Sequence, residues 1–217
     1  MTTLRRIELR CPICDNCFES DAVVATNAFG GKRTDFHERA SGRQPLAYLV
    51  HMCRTCGYSG LERDFADEAE VTIGLKEHVW KELAPIASSA AMTGSEKYEA
   101  AAKVAMWQGA DQRHVADLWL RAAWCCVDEC DVEAERYFRR LAAKWFESAL
   151  ACFDGVPQAE RAVLTYLVGE LWRRIGDVKL AGDWFDRVIG EIVDASTQQW
   201  VILVADQQRN DPREWFS

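Results

Sequence analysis

No apolar run in these 217 residues approaches the roughly 18 that a membrane-crossing helix needs; the longest near the end, Trp200 to Ala205, has six. A membrane is therefore not among the expected partners. Glycine and proline are scarce, at 13 and 5 residues, and hydrophobic residues make up 49% of the chain. Together these exclude a collagen-like, low-complexity or disordered protein. The opening, Met1-Thr-Thr-Leu-Arg-Arg-Ile-Glu-Leu-Arg10, lacks the apolar centre of a secretion signal, which predicts a cytoplasmic chain. Histidine is scarcer still: His37, His51, His78 and His114 contain no His-Glu-x-x-His pair, and no nucleophile elbow appears. Gly30-Gly31-Lys32-Arg33-Thr34 lacks the spacer of a phosphate-binding loop and reads as a flexible turn.

Charge divides unevenly. Residues 1–66 carry 9 basic and 8 acidic side chains, whereas residues 67–217 carry 17 and 26. The acidic part repels a phosphate backbone. The near-neutral part still offers a basic-aromatic cluster, with Lys32, Arg33, Arg39 and Arg43 beside Phe29, Phe36 and His37, diluted by Asp35 and Glu38. Nucleic acid is thus a second-ranked partner.

Cysteine is what the chain has in quantity. There are nine, an odd number without a secretion signal, which favours metal ligation over a disulfide framework. Two Cys-x-x-Cys pairs stand out, Cys11-Pro-Ile-Cys14 and Cys53-Arg-Thr-Cys56. Each pair makes a tight turn with converging sulfurs, and two such turns complete a tetrahedral shell. Asp15 and Gly57 follow the second cysteines, where a residue tolerant of positive φ is needed. Zinc is the expected ion, with a rubredoxin-like iron centre as the alternative. Four thiolates close the shell, so the site should be structural and the protein not an enzyme. Cys17 and His51 are the nearby groups able to replace a ligand; the simpler assignment leaves Cys17 as a spare thiol and packs His51 beside the site.

Between Cys14 and Cys53 lie 38 residues, more than the roughly 15–20 usual for such sites. Residues 22–26 and 46–52 read as strands flanking a long hairpin tip over 27–42. Residues 1–66 are accordingly expected to form an elaborated zinc ribbon.

Beyond Val71 the period becomes 3.6. Apolar stripes run through Tyr98–Met106, Val115–Cys126, Ala134–Ala149, Leu164–Ile175 and Val178–Ile192, and an earlier helix near 75–84 should stop at Pro85. Breaks at Gly109-Ala-Asp111, Cys130-Asp131, Asp154-Gly-Val-Pro157 and Gly176-Asp177 imply antiparallel hairpins. Gly169, Trp172, Gly176-Asp177, Ala181 and Phe185 follow the spacing of a tetratricopeptide repeat, with a looser copy around Trp124, Asp131, Ala134 and Phe138. The expected fold is α+β, mainly α: a β zinc-ribbon-like domain over 1–66, then a tetratricopeptide-like helical domain over 67–217. The inner face of its last hairpin would carry Val163, Tyr166, Glu170, Arg173 and Arg174, a candidate surface for a protein or peptide partner.

Cys11-Pro-Ile-Cys14, Thr34-Asp35-Phe36, Cys53-Arg-Thr-Cys56-Gly57-Tyr58, and Tyr166-Leu-Val-Gly-Glu-Leu-Trp172 followed by Gly176-Asp177 give the chain a further likeness. It resembles an uncharacterised bacterial family, domain of unknown function 2225. The resemblance implies a bacterial cytoplasmic protein with a ribbon head and repeat-like helices, and it implies no activity.

Overall fold

Two hairpins, each tipped by a cysteine knuckle, form the β part of this computed structural model, which describes residues 1–66, 71–87 and 92–216. Strand β1 (Thr3–Arg10) pairs antiparallel with β2 (Cys17–Ala25), placing Leu9 opposite Phe18 and Arg10 opposite Cys17. Strand β3 (His51–Met52) pairs with β4 (Ser59–Gly60). The strands therefore flank the knuckles and do not frame the long insertion. This corrects the expected hairpin over 22–52. Residues 22–25 end β2 and pair with β1, and Leu46–Tyr48 is a 3-10 turn entered through Pro45. Proline lacks an N–H for a ladder, and its fixed φ suits a tight turn better than a strand.

Helix α1 (Ile73–His78) continues through a π-turn (Val79–Leu83) into α2 (Ala84–Ala87), past Pro85. The expected stop does not occur. In the wide turn the Ala84 N–H reaches the Val79 carbonyl five residues back, a shift of the hydrogen-bond ladder that accommodates proline's missing donor. Then follow α3 (Gly94–Trp107), α4 (Gln112–Glu129), α5 (Val132–Ala151), α6 (Gln158–Ile175), α7 (Val178–Arg187) and α8 (Ala195–Asn210). The Thr93–Glu96 capping box starts α3, and Asp111, Asp131 and Asp177 each accept a backbone N–H at the start of α4, α5 and α7. Cys130 and Gly176 take left-handed conformations that end α4 and α6 at the expected breaks.

The apolar stripes read from the sequence mostly face inward. Val115, Leu118, Trp119, Ala122, Ala123 and Cys126 are all buried, as are Leu164, Leu167, Val168 and Leu171. Met106, Tyr137, Val178 and Ile189 instead face out, and among the tryptophans Trp80 is half exposed. Helix α8 had no sequence forecast. Its buried residues are Gln198, Val201, Ala205 and Gln208, a stripe too polar to register as a hydrophobic period. Among the described residues no helix is long and apolar enough to cross a membrane.

The ribbon and the first helices share one apolar cluster, in which Leu9, Ile13, Met52, Tyr58 and Phe65 pack with Leu75, Val79, Leu83 and Val104. Gly57 marks its tightest approach: φ is +80°, and a Cβ there would sit 2.7 Å from the Leu83 carbonyl oxygen. Gly42 has φ +99° with nothing within 4 Å, so it isolates backbone strain from packing. Gly57→Ala is expected to cost about 1–3 kcal/mol more than Gly42→Ala in denaturant unfolding, because only the former adds overlap with Leu83. Equal costs would show that the ribbon does not press on α1–α2 as described.

Candidate metal centre

The two knuckles are built alike. In the first, the Cys11 N–H donates to the Asn16 carbonyl at 3.0 Å and the Asp15 N–H to the Cys11 carbonyl at 2.9 Å. In the second, the Cys53 N–H donates to the Tyr58 carbonyl at 2.9 Å and the Gly57 N–H to the Cys53 carbonyl at 2.7 Å. Asp15 and Gly57 both have positive φ, 57° and 80°, which turns each loop back beneath its cysteines. The expected role of these two positions is therefore visible in the backbone.

All four sulfurs converge. Those of Cys11, Cys14, Cys53 and Cys56 lie within 4.8 Å of one another, with Cys11 to Cys56 at 3.5 Å and Cys14 to Cys53 at 3.6 Å. Sulfurs placed about 2.3 Å from a central ion at tetrahedral angles would be about 3.8 Å apart, so the set fits a four-thiolate metal shell. Cys11, Cys53 and Cys56 are fully buried and Cys14 is half-buried. The crowding appears in the thiol chemistry as well. The hydrogen bond with Cys53 pushes the Cys11 thiol up to about 12; contact with Cys11 and then Cys53 raises Cys56; and both neighbours hold Cys53 low. A bound cation replaces the protons that such a cluster otherwise shares.

The two possible substitutes stand outside the cluster. Cys17 is exposed at the start of β2. His51 is buried, with Nδ1 2.8 Å from the Ser20 hydroxyl and its ring edge-on to Phe65 at 6.3 Å.

The candidate partner face on α6 is covered by the chain's own residues. Tyr166 and Glu170 are fully buried. The Tyr166 hydroxyl donates to the Thr34 carbonyl at 2.8 Å, and Glu170 accepts from the Thr34 hydroxyl at 2.7 Å. Arg173 and Arg174 close on Glu170 from the same helix, at 2.7 and 2.6 Å. The basic-aromatic cluster is spent the same way. Phe36 packs on Tyr166 and Phe216, Arg39 pairs with Asp128, and Lys32 pairs with Glu38 at 3.3 Å.

At the centre of this junction lies Asp35, fully buried and bonded by Arg139 at 2.6 Å and the Trp124 indole N–H at 3.0 Å. His37 stacks on Trp124 with ring centroids 5.1 Å apart, and burial lowers its pKa to about 4. Asp35, Trp124 and Arg139 had no functional reading in the sequence. Arg139 gave no clear signal, because its flank of α5 also carries Glu135 and Arg136.

Residues 4–210 match a family described as an uncharacterized protein conserved in bacteria, DUF2225. The chain belongs to that family. The match spans both the ribbon and the helices, in keeping with the resemblance carried by the knuckles and the Gly176-Asp177 turn. No curated protein and no solved structure matches the chain.

Two predictions test this part of the DUF2225 fold. Cys56→Ser removes one thiolate and should lose its metal to a weak chelator; hydrogen exchange should then quicken in β1–β4 while α4–α6 stay protected. Uniform exchange across all helices would contradict it. For Asp35, burial alone would raise the carboxyl, but Arg139 and Arg174 outweigh it and hold the pKa well below the usual carboxylate range. A depressed folded-state value contributes stability above the unfolded pKa of about 3.9 and loses it as the pH falls towards the folded value. Asp35→Ala should therefore be less stable than wild type by up to roughly 3–5 kcal/mol at pH 7, because it removes one of the two carboxylates that pair with buried Arg139 and leaves only Glu135. In urea unfolding that gap should narrow below about pH 4. A gap independent of pH would contradict the ion-pair account.

Proposed function

We propose that this protein is a non-catalytic interaction scaffold whose ribbon is held by one structural zinc ion at Cys11, Cys14, Cys53 and Cys56. The observation that carries the reading is the closed sulfur set: among the described residues no other histidine, cysteine or carboxylate joins the cluster. A closed shell has no open position at which water or substrate could be activated. Zinc suits it because four sulfurs in tetrahedral array take zinc or iron, and the site sits where two hairpins meet a helical core, a structural position that calls for no electron transfer. Nine free thiols support a reducing, cytoplasmic setting.

The helices support the scaffold half of the reading. In the α6–α7 hairpin a Cβ on Gly169 would lie 2.7 Å from the Phe185 ring, the small-against-aromatic contact that tetratricopeptide hairpins use. Trp172 and Ala181 are buried and the turn runs through Gly176. We read the partner as protein or peptide. Nucleic acid has less support, since Lys32, Arg33 and Arg39 are each paired to a carboxylate within the chain.

Metal-edge absorption with elemental analysis on protein purified without added metal tests the proposal. One zinc per chain with four sulfurs at about 2.3 Å is expected. Iron in the same shell would change the metal, whereas three sulfurs plus an oxygen or nitrogen would overturn the non-catalytic reading.

A further inference from the structure

The segment following α8 returns to the 32–34 segment and meets it in a single antiparallel bridge, Arg33 to Trp215. Its backbone pairs antiparallel with the 32–34 segment: the Thr34 N–H donates to the Glu214 carbonyl at 3.1 Å and the Phe216 N–H to the Lys32 carbonyl at 3.0 Å. The Glu214 carboxylate enters a cradle of three guanidiniums, Arg174 at 2.5 Å, Arg33 at 3.2 Å and Arg173 at 3.3 Å. Phe216 stacks on Phe36 with centroids 5.8 Å apart, and Trp215 lies by Arg33.

Charge accounts for the carboxylate. Arg33, Arg139, Arg173 and Arg174 face three interior carboxylates, Asp35, Glu135 and Glu170, so one positive charge is left at the mouth of the cluster. Glu214 neutralises it. Yet the occupant is far more open to solvent than its receptor: the Glu214 side chain is 53% exposed, against 4–15% for the three arginines that grip it. Phe216 and Phe36 also line an apolar trough of about 550 Å³ together with Trp200, Leu203 and Val204. That volume is ample for one or two large apolar side chains.

We propose that this groove is a peptide-binding site for an acidic–aromatic segment of a partner protein, and that Glu214-Trp215-Phe216 is its resident, displaceable occupant. The inference rests on the scaffold reading and names the partner's chemistry. An incoming peptide places a carboxylate in the Arg33–Arg173–Arg174 cradle, pairs its backbone with Lys32–Thr34 and seats an aromatic ring on Phe36. To displace a segment tethered in the same chain it must overcome an effective concentration in the millimolar range. The trough provides the means, because apolar residues of the peptide beyond its aromatic pair would add buried surface against Trp200, Leu203 and Val204.

The test uses the full chain and an acetylated pentapeptide, Glu-Trp-Phe-Leu-Leu amide, with Gln-Ala-Ala-Leu-Leu as control. Trypsin cleavage after Arg213 reports release of the resident segment. The first peptide should accelerate that cleavage in the unmodified protein and the control should not. A triple variant, Glu214→Gln with Trp215→Ala and Phe216→Ala, should bind the labelled peptide at least about ten-fold more tightly than wild type, since the tethered competitor is weakened. Unchanged cleavage at saturating peptide, or equal effects of the two peptides, overturns the proposal, and the trypsin measurement decides even if the variant fails to fold. Zinc content read on the same samples keeps the two conclusions apart. Lost peptide binding with an intact four-sulfur site counts against this groove alone, whereas an incomplete sulfur shell counts against the scaffold reading.

Discussion

Convergence of four sulfurs from two distant knuckles is the constraint on which the rest of the ribbon depends. Strands β3 and β4 are two residues each, far below what a hairpin needs to stand alone in water. The β1–β2 ribbon is longer, but most of its residues are at least partly exposed and few reach the core. Neither hairpin buries enough apolar surface to fix its partner. A shared ion at the four sulfurs, as proposed above, would supply the missing link, since metal binding energy in such domains is folding energy. Beside the sulfur cluster, Tyr58 and Leu9 pack against α1–α3, so the helical core is completed partly by residues of the two hairpins.

A second junction, made of charge, joins the insertion to the helical array. Thr34, Asp35 and His37 are buried among groups from α4, α5 and α6, and the ions there are paired in a fully enclosed setting. Buried pairs of this kind add little net stability compared with apolar packing, but they penalise every arrangement that leaves one member alone. The result is specificity: a docking of the 32–39 segment that withdrew Asp35 and Thr34 would take partners from both Arg139 and Glu170. The 213–216 segment closes the same network from outside and is the part of it that solvent reaches most.

What was legible in the sequence was local. Cys11/Cys14 and Cys53/Cys56 declare themselves because ligand spacing within each turn is short, and Asp15 and Gly57 confirm the turns. The inward faces of α4 and α6 could be read because their apolar residues repeat every three or four positions. Three features stayed hidden for distinct physical reasons. The partner of β2 is β1 across the knuckle, whereas β-branched composition at 22–26 says nothing about pairing. Helix α8 turns Gln198 and Gln208 inward, where they bond backbone groups, so its buried face does not look hydrophobic. Asp35 meets Trp124 and Arg139 across 89 and 104 positions of chain, and a carboxylate in a glycine-rich stretch carries no local mark of burial. The α6 face was placed on the correct helix, but its contacts with Thr34 and Glu214 come from positions far away in the chain and left no local mark.

Thiol alkylation followed by mass spectrometry, with and without a metal chelator, tests the shared-ion clamp most directly. Cys17, Cys130 and Cys152 are exposed and should react quickly in untreated protein, while Cys11, Cys14, Cys53 and Cys56 remain unmodified. On chelation those four should become reactive together, in one transition, because losing the ion releases every sulfur at once. Rapid labelling of half-buried Cys14 before chelation, or release of the two knuckles in separate steps, would contradict a single ion held by both.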